Sequence, residues 1–87
     1  MKALLKSTIL SVLLALSFNL FAAPVNINTA DATEIAAALN GIGLRKAQAI
    51  VEYRETNGLF TQPGEIVLVR GIGLSIYEKN KDDILVK

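Results

Sequence analysis

The sequence Gly41-Ile42-Gly43 recurs as Gly71-Ile72-Gly73, thirty residues further along the chain. Two glycines separated by one residue let the backbone adopt positive φ and reverse direction tightly. An apolar residue lies two positions before each copy, and residues at helical spacing follow it. The repeat therefore predicts two successive units, each built of a helix, a hairpin and a second helix, with the isoleucine pointing back between the helices.

The first unit carries clear helix signals. Asp31 lies three residues before Glu34, the spacing at which an N-cap side chain and an N3 carboxyl satisfy each other's backbone donors. The first helix is predicted from about Asp31 to Leu39. Apolar residues at helical spacing predict a second helix from Leu44 to Asn57, which Gly58 would end.

The second unit is less regular. Thr61 is predicted to cap a third helix with Pro63 in its first turn, although the β-branched run at 66–69 also suits a strand. The match with the first unit favours a helix there. A fourth helix is predicted from Leu74 to about Lys81.

The flanks of the two units are short. Residues 23–30 alternate apolar and polar side chains and predict an extended strap that leads into a domain at 31–87. The apolar tail at 84–86 is expected to pack beside Val25 and Ile27.

Residues 1–22 are typical of a signal peptide: a basic start is followed by an apolar run that is short for a membrane span of roughly 20 residues. Cleavage is predicted after Ala22, which implies an exported, for example periplasmic, protein. Leu20 occupies the position three residues before the cut, where a small residue is preferred. An uncleaved membrane anchor, with the domain facing outside the cytoplasm, is the alternative.

Composition limits the chemistry of the remaining 65 residues. Thirty of them are apolar, enough for one small core. The chain has no cysteine and no histidine, which removes thiol nucleophiles, imidazole bases and the usual transition-metal ligands. Asp82 and Asp83 are adjacent and would not face the same way on a helix. We therefore expect no catalytic residue, metal or cofactor, and a nuclease is disfavoured.

The net charge limits which kinds of binding partner the domain can have. Residues 23–87 contain seven Lys and Arg against eight Asp and Glu, a net charge of −1. A globally basic surface is absent, so a nucleic-acid interface would depend on local geometry and clustered cations.

Five segments in order resemble the ComEA family of exported or membrane-anchored DNA receptors of bacterial competence. They are 25–30, 41–43, 47–54, 58–60 and 71–73. The resemblance implies an all-α domain of two tandem helix-hairpin-helix motifs. It also implies binding of double-stranded DNA without sequence preference, in support of DNA uptake and together with other uptake components. Asn40 and Arg70 occupy positions where the family often has proline.

The hairpins predict anion sites, because the first N–H groups of a helix lack intrahelical partners and the helix dipole is positive there. Arg45 and Lys46 oppose that dipole at a cost of about 0.3–1 kcal/mol each, which a bound phosphate would reverse. The predicted phosphate-binding residues are Gly41, Ile42, Gly43, Leu44, Arg45, Lys46, Arg70, Gly71, Ile72, Gly73, Leu74, Ser75 and Lys79.

The two predicted sites differ in charge. Ser75 and Ile76 occupy the places of Arg45 and Lys46 in the second unit, so the first hairpin is predicted to be the electrostatic anchor. The second would rely on backbone N–H groups and the Ser75 hydroxyl. This weak second site and the net charge of −1 keep an alternative open, an exported protein–protein interaction module on the same fold.

Overall fold

A computed structural model of the protein describes residues 23–87, and the predicted signal peptide lies outside them. The chain is mostly helical, as the sequence predicts. Its elements in order are strand β1 (Val25–Asn26), helix α1 (Ala32–Ala38), helix α2 (Leu44–Asn57), 3₁₀ helix η1 (Pro63–Leu68), helix α3 (Leu74–Asn80), 3₁₀ turn η2 (Lys81–Asp83) and strand β2 (Ile84–Leu85).

The first unit follows its sequence signals closely. The Asp31 side chain caps α1 by accepting a 2.8 Å hydrogen bond from the N–H of Glu34. Helix α2 begins at Leu44 and ends at Asn57, and Gly58 leaves the helix with φ +96°. The predicted bounds of both helices are confirmed to within one residue.

The third helix differs from its prediction, because it is a 3₁₀ helix and its N-cap is Gln62 rather than Thr61. The Glu65 carboxylate accepts hydrogen bonds from the N–H groups of Thr61 (2.7 Å) and Gln62 (3.4 Å). Both hydrogen bonds tighten the first turn of η1. The hydrogen bonds that Thr61 donates also lower the pKa of the Glu65 carboxyl. Thr61 is thus a donor to this carboxylate. Gly64 and the following β-branched residues have too little helix propensity to extend a regular α-helix.

The all-α prediction is corrected at the ends of the domain. Helix α3 ends at Asn80, one residue early, and the chain turns through η2 into β2. Strands β1 and β2 pair in parallel, with Val25 opposite Ile84. The expected packing of the tail beside Val25 is confirmed, in the form of strand pairing. Beyond β1 the strap turns at residues 27–30, where the N–H of Ala30 donates to the carbonyl of Asn26.

The core lies between the two units. The isoleucines at 27, 35, 50 and 66 are completely buried. The two hairpin isoleucines, Ile42 and Ile72, are only 3% and 4% exposed, so both point inward as the repeat predicts. Burial of such a side chain stabilises the fold by about 1.5–3 kcal/mol. The inward isoleucines therefore fix each hairpin with its glycines facing solvent.

A buried asparagine connects the two units. Asn80, at the end of α3, accepts a 2.8 Å hydrogen bond from the N–H of Asn40 and donates to the carbonyls of Asn40 (2.8 Å) and Ile76 (2.9 Å). Position 40 begins the first hairpin. A proline there would have no N–H for this bond, so Asn40 makes a contact between the two units that proline could not make.

Two further side chains attach the strap to the domain. Asn28 exchanges two hydrogen bonds, of 2.8 and 2.9 Å, with the backbone of Phe60. Arg54, on α2, donates to the carbonyls of Ile27 and Ala30. The Arg54 cation is thus engaged in the fold.

Candidate nucleic-acid interface

The two glycines of each hairpin have different conformations. Gly41 and Gly71 have φ of +77° and +91°, the left-handed region that favours glycine. Gly43 and Gly73 are extended, with φ of −80° and −97°, and are the N-caps of α2 and α3. The first glycine therefore reverses the chain and the second begins the helix.

The N-terminal ends of α2 and α3 are uncapped by any side chain, because glycine has none. The N–H of Ala47 bonds to the carbonyl of Gly43 and the N–H of Tyr77 to that of Gly73. The N–H groups preceding these lie at the helix ends, where they have no i−4 partner within the helix. Because α2 has 14 residues and α3 only seven, the first end has the more complete helix dipole.

Open space surrounds the helix-starting glycines. A methyl group on Gly43 or Gly73 would meet no atom within 4 Å, and their backbone angles are ordinary for any residue. Neither position requires glycine for the free fold. Glycine leaves the backbone accessible to whatever approaches from outside.

A shallow groove of about 530 Å³ lies between α2 and the second hairpin. Three cations line it: Arg45 and Lys46 from the first turn of α2, and Arg70 from the second hairpin. Its other lining residues are Ala49, Glu52, Tyr53, Thr56, Asn57, Val69 and Gly71.

Lys46 links the two hairpins in space. Its side-chain carbons Cγ and Cε lie 3.9 Å from the point that a Cβ on Gly71 would occupy. Sequence comparison of the two units assigned Lys46 to the first hairpin alone, because the contact with Gly71 crosses from one unit to the other. The second hairpin therefore has a neighbouring cation that its own sequence lacks.

The groove cations are free of carboxylate partners in the part of the chain that the structure describes. The ion pair within residues 23–87 lies elsewhere and joins Glu78 on α3 to Lys81 on η2, at 3.4 Å. Arg45 and Arg70 are exposed and Lys46 is half-buried. Their charges are available to an external anion.

Other predicted site residues lie apart from the groove. Leu74 and Ser75 are exposed in the first turn of α3. Lys79 lies in the last turn of α3, where a cation complements the helix dipole, and it does not line the groove.

The groove also contains residues that the sequence did not indicate as part of a site. Ala49, Tyr53 and Thr56 continue the α2 face that Arg45 begins. Their helical spacing was the available signal, although it equally suits a packing face. The Tyr53 ring stacks on Phe60 with ring centroids 5.3 Å apart, which fixes the wall of the groove.

The helix-hairpin-helix motif family matches residues 21–85, and the chain belongs to that family. It is ComEA-like: it is 48% identical over 63 residues to ComE operon protein 1 of Bacillus subtilis. That match covers 72% of this chain and 30% of the relative. An uncharacterized protein of Haemophilus influenzae is 51% identical over 61 residues, which are 70% of this chain and 54% of that protein. No solved structure matches the chain.

A match of another kind is with endonuclease/exonuclease/phosphatase family domain-containing protein 1 of Xenopus laevis, 42% identical over 62 residues. It covers 71% of this chain but only 11% of that protein. The matched part of this chain thus covers between about half and about one tenth of the length of these curated relatives.

Residues 23–87 contain no group of three or more Asp and Glu side chains arranged to hold a metal ion. No helix within the same residues is long and apolar enough to cross a membrane.

Proposed function

We propose that the domain binds double-stranded DNA without sequence preference, as an exported protein that supports DNA uptake in natural competence. The observation that carries this proposal is a set of three cations, Arg45, Lys46 and Arg70, that line one groove between α2 and the second hairpin and make no ion pair within residues 23–87. Membership of the helix-hairpin-helix family and similarity to ComE operon protein 1 support the same function.

The binding mechanism uses phosphates on both sides of the groove. The first N–H groups of α2 donate to phosphate oxygens at the first hairpin, where the dipole favours an anion. Lys46 and Arg70 neutralise phosphates nearer the second hairpin. These contacts address the DNA backbone and no base edge, so different sequences are bound alike. No catalytic step is part of the proposal.

Salt dependence tests this function directly. If about four to six phosphates are engaged, log K should fall against log salt with a slope of about −4 to −5. Fluorescence anisotropy of residues 23–87 with two unrelated duplexes, at several salt concentrations, measures this. Equal affinities with that slope are expected. A flat salt response, or no binding at low salt, would contradict DNA binding.

Gly43→Ala should separate binding from folding. We expect a loss of about ten- to a hundredfold in DNA affinity, because the new methyl group blocks the approach of a phosphate to charge-assisted N–H donors. The free energy of unfolding should change by less than about 1 kcal/mol, since a weaker N-cap is offset by a less flexible unfolded chain. Anisotropy titration and urea denaturation measure the two effects.

Gly64→Ala is the matched control for this substitution. Gly64 lies outside the groove, and a methyl group there would make only an ordinary 3.8 Å contact with Tyr77. Its DNA affinity should equal that of the wild type. If Gly43→Ala binds as tightly as Gly64→Ala, the backbone at Gly43 does not contact phosphate.

The second candidate function is an exported protein–protein interaction module. The net charge of −1 for residues 23–87 and the uncharged first turn of α3 favour it. Under this function the hairpin variants would retain partner binding, and no duplex would bind at low salt.

The proposed location outside the cytoplasm depends on residues 1–22. N-terminal sequencing of the protein from its native membrane and periplasmic fractions separates cleavage after Ala22 from a retained anchor. DNA-uptake components are proposed partners in either form.

A further inference from the structure

We propose that Leu44 and Leu74 form an apolar part of the DNA interface that packs against deoxyribose. The proposal rests on the function proposed above. Phosphate binding as predicted would use only the backbone N–H groups of these two residues, and the inference assigns a role to their side chains, which are exposed and lie outside the core.

Both leucines are exposed at the start of a helix. Leu44 is 51% and Leu74 66% exposed, each as the first residue after the helix-starting glycine of its hairpin. Large apolar side chains at such positions add little to folding, because they stay in water. Proline or an acidic residue is favoured in the first turn of a helix.

Leucine is also what the two units share at this point. After the second glycine the first unit continues Leu44-Arg45-Lys46 and the second Leu74-Ser75-Ile76. The two cations that follow the leucine in the first unit have no cationic counterpart in the second, whereas the leucine is present in both. The same apolar side chain therefore follows both hairpins, whichever residues come next.

The chemistry of a nucleic-acid strand identifies the partner of these leucines. Phosphates alternate along the strand with sugars, whose C–H faces are apolar. With a phosphate held at the hairpin, a side chain next to the binding N–H group would meet the neighbouring sugar. Every nucleotide carries this sugar, so the contact preserves binding without sequence preference.

The same contact discriminates DNA from RNA. A ribose carries a 2′-hydroxyl group, and a leucine packed against it would bury that hydroxyl without a hydrogen-bond partner. The leucines should therefore favour duplex DNA over duplex RNA. This preference adds to the one that arises because the two duplexes space their phosphates differently.

The test compares Leu44→Ala with Leu74→Ala, singly and together, in anisotropy titrations over a range of salt concentrations. Each single variant should lose about three- to tenfold in affinity for a DNA duplex, and the pair about ten- to a hundredfold, as apolar contacts are removed. The slope of log K against log salt should stay unchanged. Arg45→Ala, by contrast, should make the slope shallower by about 1.

Leu59→Ala is the matched control. Leu59 is 63% exposed but follows the C-terminal end of α2, about 20 Å along the helix from the first hairpin. Its affinity should equal that of the wild type. If the alanine pair melts early, Leu44→Gln with Leu74→Gln keeps side-chain length and helix propensity while replacing the apolar contact, and it should show the same loss.

A duplex RNA of equal length completes the experiment. The DNA-to-RNA affinity ratio should be highest for the wild type and fall toward 1 in the leucine pair. Wild-type DNA binding together with unchanged affinity in both leucine pairs would overturn this proposal and leave the proposed function intact. If the leucine variants lost affinity only through a shallower slope of log K against log salt, the proposal would also be overturned. Absence of DNA binding by the wild type would refute both.

Discussion

Replacing Arg45 and Lys46 together with glutamate should reduce duplex binding by at least about a hundredfold at physiological salt. Under the proposed function each cation would make a charge-assisted contact of about 1.5–3 kcal/mol with phosphate, so losing two gives about 10²- to 10⁴-fold. The new carboxylates also repel the phosphates. Anisotropy titration at 0.15 M salt measures the loss, and circular dichroism shows that the fold is retained, because neither side chain makes an ion pair within residues 23–87.

The control must change the net charge by the same amount. Lys81→Glu with Lys87→Glu does so at two exposed positions outside the groove. Only a modest loss of affinity is expected for this pair, since long-range repulsion is screened over about 8 Å at physiological salt. Equal losses in the two double variants would mean that overall charge, and not the groove, governs binding.

Lys46 makes this prediction stronger than the sequence alone would justify. It follows the first hairpin in the chain, yet its side chain lies beside Gly71 of the second. Under the proposed function, removing Lys46 should therefore weaken phosphate binding at both hairpins. The greater importance of the first hairpin remains a prediction, now supported by the longer helix that follows it.

Local signals predicted most of the helical framework. The Asp31 cap, the stop at Gly58 and the two reversals at Gly41 and Gly71 all depend on residues within a few positions of one another. Such short-range determinants are visible in a sequence. The 3₁₀ form of η1 was missed because the match with the first unit was given more weight than the low helix propensity of Gly64 and the β-branched residues that follow it.

Long-range contacts account for the remaining differences. The pairing of β1 with β2 joins residues about sixty positions apart, and two-residue strands have no alternation to detect. The groove likewise depends on the approach of α2 to the second hairpin. Arg45 and Arg70 could each be noted as cations in the sequence, but their meeting in one groove is a property of the packing.

Asn80→Ala should have the largest effect on stability. Three hydrogen bonds disappear, and the N–H and carbonyl of Asn40 lose their partner in a partly buried site. We expect a loss of about 2–4 kcal/mol in the free energy of unfolding. A domain of this size has about 3–10 kcal/mol in total, so the Tm should fall by roughly 10–25 °C. Thermal and urea denaturation followed by circular dichroism measure this change.

Asn57→Ala is the matched control for Asn80→Ala, because Asn57 also donates to the carbonyl four residues earlier but is exposed at the end of α2. Its removal should cost less than about 1 kcal/mol, since water replaces the lost bond. The Asn80 bonds join α3 to the start of the first hairpin. The amide proton of Asn40 should therefore exchange faster in Asn80→Ala, under conditions where most molecules stay folded. An unchanged Tm together with unchanged exchange at Asn40 would mean that the inward isoleucines alone hold the two units in register.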